Sequence, residues 1–181
     1  MSRKPSGQSG TWRRLLGIAA VVLLGTFMAA SAFAASPNPG ALYKGVGKNF
    51  MNNAPKWANE GTAKISFKTS ADGSKVINFK GSYAYYCGAG TSTVTEKHIP
   101  ISKRGTFSLK FSQPIKGPNG KINSTAYAAI SGTFGKGGKQ ANVSYLIDYV
   151  FTGKTVKHPY STSNPRALGC ASWVRGTVKT K

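Results

Sequence analysis

The chain has 181 residues, enough for one domain with its own core, and sets 25 lysines and arginines against four aspartates and glutamates for a formal net charge of +21. Four carboxylates, two histidines and two cysteines leave little material for a paired-carboxylate hydrolase or a metal centre. The charge favours attraction to polyanions. Because 18 of the 21 basic residues beyond Ala35 are lysines, that attraction is of the point-charge kind and not the bidentate reading of bases or phosphates that arginine performs.

At the start of the chain Arg3, Lys4, Arg13 and Arg14 stand before an uncharged run from Leu15 to Tyr43 that closes on small residues at Ala32, Ala34 and Ala35. A basic head, an apolar middle and an A-x-A end predict a secretory signal peptide over residues 1–35, cut near Ala34 or Ala35. The rival reading is a retained membrane anchor, since Leu15 to Ala35 is long enough to cross a bilayer core, although Gly17, Gly25, Thr26 and Ser31 dilute it. Arg13 and Arg14 read as an ordinary basic head and not a twin-arginine signal, and no cysteine lies near the cut to carry a lipid. The expected location is secreted or at the cell surface. Loss of the four leader cations leaves a net charge of +17.

Residues 36–61 are rich in Pro, Gly and Asn with isolated Tyr43, Phe50 and Trp57, and read as a coil able to pack back on the domain. From residue 62 to residue 181 the dominant signal is period two. Ile65 and Phe67 alternate with Lys64, Ser66 and Lys68, Ala71 to Ser74 supply a turn, and Val76, Ile77 and Phe79 follow, which makes a hairpin. Further strands are expected at Tyr83 to Cys87, Ser92 to Ser102, Thr106 to Ser112, Ile122 to Phe134, Ala141 to Thr152 and Cys170 to Lys179. Lys103-Arg104-Gly105, Gly117 to Gly120 and Gly135 to Gly138 stand between them as turns. No stretch beyond the leader has helical spacing. The expected fold is all-β, a single antiparallel β-sandwich of jelly-roll type.

In an exported domain the only cysteines, Cys87 and Cys170, are expected to form a disulfide, no C-x-x-C spacing being present. With Cys170 pointing inward, Ser172, Val174 and Val178 share its face while Trp173, Arg175, Thr177 and Lys179 point outward; Tyr83 and Tyr85 go with Cys87, and Tyr86 goes outward. That defines a candidate ligand-binding set of Trp173, Tyr86, Arg175, Lys179 and Trp57. The competing reading buries the same face under residues 36–61, with Trp57 or Phe50 packed on it.

No catalytic, metal or cofactor site is expected. Glu60 and Asp72 fall in loops, and Glu96 and Asp148 in strands, Asp148 reading as a structural ion pair. His98 and His158 lack metal-ligand spacing, and no serine sits in a G-x-S-x-G turn. Gly45-Val46-Gly47-Lys48 has neither the preceding strand nor the G-K-[ST] ending of a phosphate loop. Tyr83, Tyr85, Tyr86, Tyr127, Tyr145, Tyr149, Tyr160 and Trp173 interleave with lysines, a mixture that suits sugar faces or stacked bases as well as an ordinary β core.

Ile65-Ser66-Phe67, Ile77-Asn78-Phe79, Cys87, Gly105-Thr106-Phe107, Ile130-Ser131-Gly132-Thr133-Phe134 and Cys170-Ala171-Ser172-Trp173 together resemble a pattern in small secreted bacterial β-proteins. The resemblance spans Thr62 to Lys179 and implies a β-sandwich with a cysteine ahead of the closing Trp-containing strand; it brings no activity and no catalytic residue. The chain departs from it between Gly153 and Gly169, where His158, Pro159, Pro165 and Arg166 replace a short glycine-rich connection.

The function expected from these features is non-enzymatic binding of an anionic or carbohydrate polymer at the cell envelope, with non-specific nucleic-acid affinity from charge alone. Two alternatives stand beside it. One is a secreted hydrolase in which Asp148, Glu96, His98 and His158 converge. The other is a protein-binding inhibitor or competition factor that uses the 153–169 loop.

Overall fold

The period-two stretches become eight strands: β1 (Leu42–Asn53), β2 (Lys56–Thr69), β3 (Lys75–Ala84), β4 (Thr91–Pro100), β5 (Thr106–Lys116), β6 (Ile122–Phe134), β7 (Gln140–Val150) and β8 (Cys170–Thr180). The structure, a computed structural model, describes residues 35–53, 56–84, 90–151, 162–163 and 169–181, with backbone alone at 52–53, 56–58 and 60. Among these residues the only helical element is a 3₁₀ turn, Lys136–Gly138, and no helix is long and apolar enough to cross a membrane.

All eight strands lie in one antiparallel sheet in the order β4-β3-β2-β1-β8-β7-β6-β5. Each strand pairs with its neighbour in sequence except β4 with β5, which stand at the two edges, and β1 and β8 pair with each other from Tyr43↔Thr180 to Met51↔Ser172. The sheet therefore rolls up as an up-and-down structure nearly closed into a barrel. Its two edges, β4 and β5, are joined by the bridge Ile101↔Phe107 next to the Lys103–Gly105 turn. The antiparallel all-β expectation holds. The jelly-roll sandwich is replaced by this single sheet, because its layering depends on which distant strands pair, and local alternation carries no record of the β1–β8 seam.

Two further readings change. Residues 36–61 hold β1 and the start of β2, not a coil. The core-facing positions of β1 are Tyr43, Gly45, Gly47 and Asn49, so the strand lacks the apolar alternation that marks its neighbours. Those glycines have a packing reason: a Cβ on Gly47 would lie 2.8 Å from the carbonyl oxygen of Arg175, and one on Gly176 would lie 2.4 Å from the Cα of Gly47. Glycine at both sites lets the seam curl tightly. The stretches expected as separate strands around Val76 and Tyr83 form one, β3, whose parity switches at Asn78. This residue adopts φ of 52° and shifts the register against β2.

Inside the roll, Tyr43 stacks on Phe67 at 4.9 Å, Phe107 and Phe134 meet the Phe67 ring at 5.7 and 6.1 Å, and Tyr145 meets Phe79 at 5.8 Å. Full burial of each such ring contributes on the order of 2–3 kcal/mol. Tyr145 donates its hydroxyl proton to the carbonyl of Ser82 and Tyr43 donates to that of Gly138. Burial raises both phenol pKa values and keeps the donors protonated. One end of the roll is stoppered by the segment before β1. Ala35 packs on the core, Asn38 N donates to the Tyr43 hydroxyl at 3.0 Å, Thr69 Oγ1 donates to the Asn38 carbonyl, and Gly40 N donates to the Ser70 carbonyl at 2.9 Å.

Candidate functional site

Alternation along β8 sends Ser172, Val174 and Val178 to the core and Trp173, Arg175, Thr177 and Lys179 outward, as the parity of the sequence requires. The antiparallel register of the seam then decides what stands beside them. Lys44 lies opposite Lys179, Val46 opposite Thr177, Lys48 opposite Arg175 and Phe50 opposite Trp173. Two of these four rungs pair like charges. On their other sides the same cations face Ser66, Thr62, Gln140 and Ser144, so none has an acidic register partner. Like charges directly opposite one another in a sheet are destabilising, and the two like-charged rungs lie four residues apart, roughly 13 Å along the strand.

At the end of this ladder Phe50 and Trp173 lie 5.3 Å apart, and the Arg175 guanidinium carbon sits 5.1 Å from the Phe50 ring centre and 5.0 Å from that of Trp173. Attraction to the two ring faces holds Arg175 in place while its side chain stays exposed. Trp173 is half-buried; its Nε1 donates to Ser144 Oγ at 2.8 Å, which fixes the plane of the indole. Beside these residues runs an open groove of about 650 Å³, lined by Val46, Lys48, Ser131, Asn142, Arg175 and Thr177 among others. Thr177 donates to Asn142 Oδ1 at 2.8 Å, and Ser131 shares a 2.6 Å hydrogen bond with Thr162. Cations at one side of a floor of hydroxyls and amides can hold an acidic group and hydrogen-bond the polar chain that bears it.

Of the candidate residues, the structure brings Trp173 and Arg175 together, with Lys179 further along the same outer face of β8. The Trp57 backbone lies in β2 opposite Asn52, but its side chain lies outside the described residues, as does all of Tyr86. Phe50 does pack on Trp173, as a neighbour within the sheet and not as part of a covering coil. Sequence reading missed Lys44 and Lys48, and put Phe50 on this face only as part of a covering coil. The outward alternation Lys44, Val46, Lys48, Phe50 was the available signal, masked because the intervening residues are glycines and Asn49.

The remaining ionisable residues are dispersed. Asp148 is buried, with an outward parity on β7, and Gly169 N donates to its Oδ2 at 3.3 Å. Glu96 lies opposite Phe79, on the core-facing side of β4, and burial raises its pKa. His98 is exposed on β4, and Asp72 caps the β2–β3 turn; His158 lies outside the described residues. Glu96 and Asp148 thus stand on opposite faces of strands that are not neighbours. Among the described residues no three His, Cys, Asp or Glu side chains gather to hold a metal ion. Of the 153–169 loop only Thr162, Ser163 and Gly169 are described, and Cys87 is outside the described residues. Comparison of the chain with models of known families, with characterised proteins and with solved structures finds no match.

Proposed function

We propose that this is an exported, non-enzymatic binding protein whose outer β1–β8 face takes an anionic or carbohydrate polymer at the cell envelope. The observation that carries the reading is the pair of like-charged rungs, Lys44/Lys179 and Lys48/Arg175, ending on an arginine held by two rings. A protein under no demand for an anion there would gain by placing one carboxylate opposite each cation. In this reading the lysines supply long-range, salt-screened attraction, and Arg175 supplies a directed fork for a phosphate, sulfate or carboxylate. The hydroxyls of the groove hydrogen-bond the chain between charges.

The same reading includes a Cys87–Cys170 disulfide. Its support is that Cys170 carries no free thiol and that Ser172 Oγ donates to the carbonyl of Ala84, which draws the end of β3 towards the start of β8.

The test is retention of the native protein on immobilised polyphosphate and on insoluble wall polysaccharide over a salt series. Retention at low salt should fall linearly in log–log form as salt rises. Arg175→Ala should weaken it about tenfold and reduce the salt slope by about one, with Arg175→Lys restoring only part. Wild-type protein that fails to bind either matrix at low salt ends the reading.

A further inference from the structure

The barrel interior is not filled along its whole length. The aromatic cluster and the segment before β1 close one end. Towards the other end β4 and β5 part company beyond the Ile101↔Phe107 bridge, and a cavity of about 200 Å³ opens between them. Its apolar wall is made by Val94, Phe111, Ala126, Ala128 and Ile147. The two alanines on the core side of β6 hold the space open, where the next core-facing residue, Ile130, is large and fully buried. The polar wall carries Thr95, Gln113 and two tyrosines, Tyr83 and Tyr149, whose hydroxyls hydrogen-bond each other at 2.9 Å. In a chain with 25 lysines and arginines, the described residues that line this cavity include no charged side chain.

We propose that this slot is a binding site for a small neutral molecule, a single ring bearing a hydroxyl or carbonyl group. Size sets the upper bound: 200 Å³ corresponds to roughly six or seven waters at ~30 Å³ each, which a substituted six-membered ring fills and a polymer does not. The described lining of apolar groups, hydroxyls and one amide suits a neutral ligand, since burying an unpaired charge costs far more than apolar contact returns. The tyrosine pair and Gln113 select a ligand with one polar group, because a wall that offers hydrogen bonds discriminates against a ring that cannot make them. The gap between the edges of β4 and β5 forms the entrance. The site is separate from the outer cationic face and does not depend on what that face binds.

The test is titration of the oxidised, isotope-labelled protein with phenol, with toluene as the apolar control and benzoate as the anionic one, followed by amide chemical shifts. Phenol should move the amides of Tyr83, Val94, Phe111 and Ala128 in a saturable way. Benzoate, drawn to the basic surface, should leave those amides in place. Ala128→Leu, which fills the slot, should weaken phenol binding at least about tenfold while retention on polyphosphate stays unchanged. Tyr149→Phe, which keeps the ring and removes one hydroxyl, should weaken phenol several-fold and leave toluene unaffected, and it serves if the leucine variant does not fold. Shifts that scatter over the surface, phenol affinity unchanged in a folded Ala128→Leu or Tyr149→Phe protein, or no saturable shift up to the solubility limit would overturn the proposal.

Discussion

Gly176 shows how a single residue sets the curvature on which the candidate face depends. The nearest obstacles to a Cβ there are the Gly47 Cα at 2.4 Å and the Val46 carbonyl oxygen at 2.8 Å, all backbone that cannot swing aside. Gly176→Ala is therefore expected to destabilise the fold by about 1–3 kcal/mol, read as a lower denaturant midpoint at unchanged slope. Asp72 acts through its turn. Hydrogen bonds from the Ser70 hydroxyl, then from the Ser74 amide and hydroxyl, hold its pKa well below the usual 3.8. Such a group contributes stability that is present above the unfolded-state pKa and lost as pH falls towards the folded value. Glu96 has the opposite sign: burial raises its pKa, so its contribution is present below its usual 4.5 and lost as pH rises through the folded value. Asp72→Asn should thus flatten the loss of stability in acid, while Glu96→Gln should raise stability at neutral pH; denaturant midpoints across a pH series check both. Trp173 and Arg175 were legible as an outward pair from parity alone, whereas Phe50 was legible only as one of two aromatics able to cover them, because nothing local says which strand lies beside β8.

The strands differ in how well they are secured. β1 and β8 are each paired on both sides, while β4 and β5 pair on one side along nearly their whole length and carry Pro100 and Pro114, residues that sheets tolerate at edges. Amides of β4 and β5 on the open side are expected to exchange with solvent orders of magnitude faster than those of the β1–β8 ladder, a difference that hydrogen-exchange measurements resolve. Equal protection on both would mean that the barrel is fully closed in solution. At this scale most of the chain was readable. β4, β5, β6, β7 and β8 fall close to where alternation and turn residues put them, since each buries one apolar face, and β2 does so from residue 62 on while its first six residues were read as coil. β1 escaped because its inward residues are chosen for close backbone approach and not for hydrophobicity. The same glycines that removed the signal, Gly45 and Gly47, are what the seam requires.

For the whole molecule, the proposed link between Cys87 and Cys170 would close a loop over β4 to β7 and stabilise the fold by about 4 kcal/mol on chain-entropy grounds. A reductant should accordingly lower the melting temperature by well over ten degrees, and identical melts with and without reductant would remove the link from the description. Charge acts at this scale too, since a net +21 on the full chain makes any encounter with a polyanion fast and salt-dependent, whatever its specificity. The amino-acid order alone determined the class of the protein: antiparallel strands, most of their turns, the outward side of β8, and the basic character of the chain. These are properties of short windows and of totals. Only the tertiary structure decided that the sheet is one roll and not two layers, that Lys44 and Lys48 stand opposite Lys179 and Arg175, and that a slot opens between β4 and β5. Each of those follows from pairing, or failing to pair, residues distant along the chain, and the free energy of that choice belongs to the closed sheet as a whole.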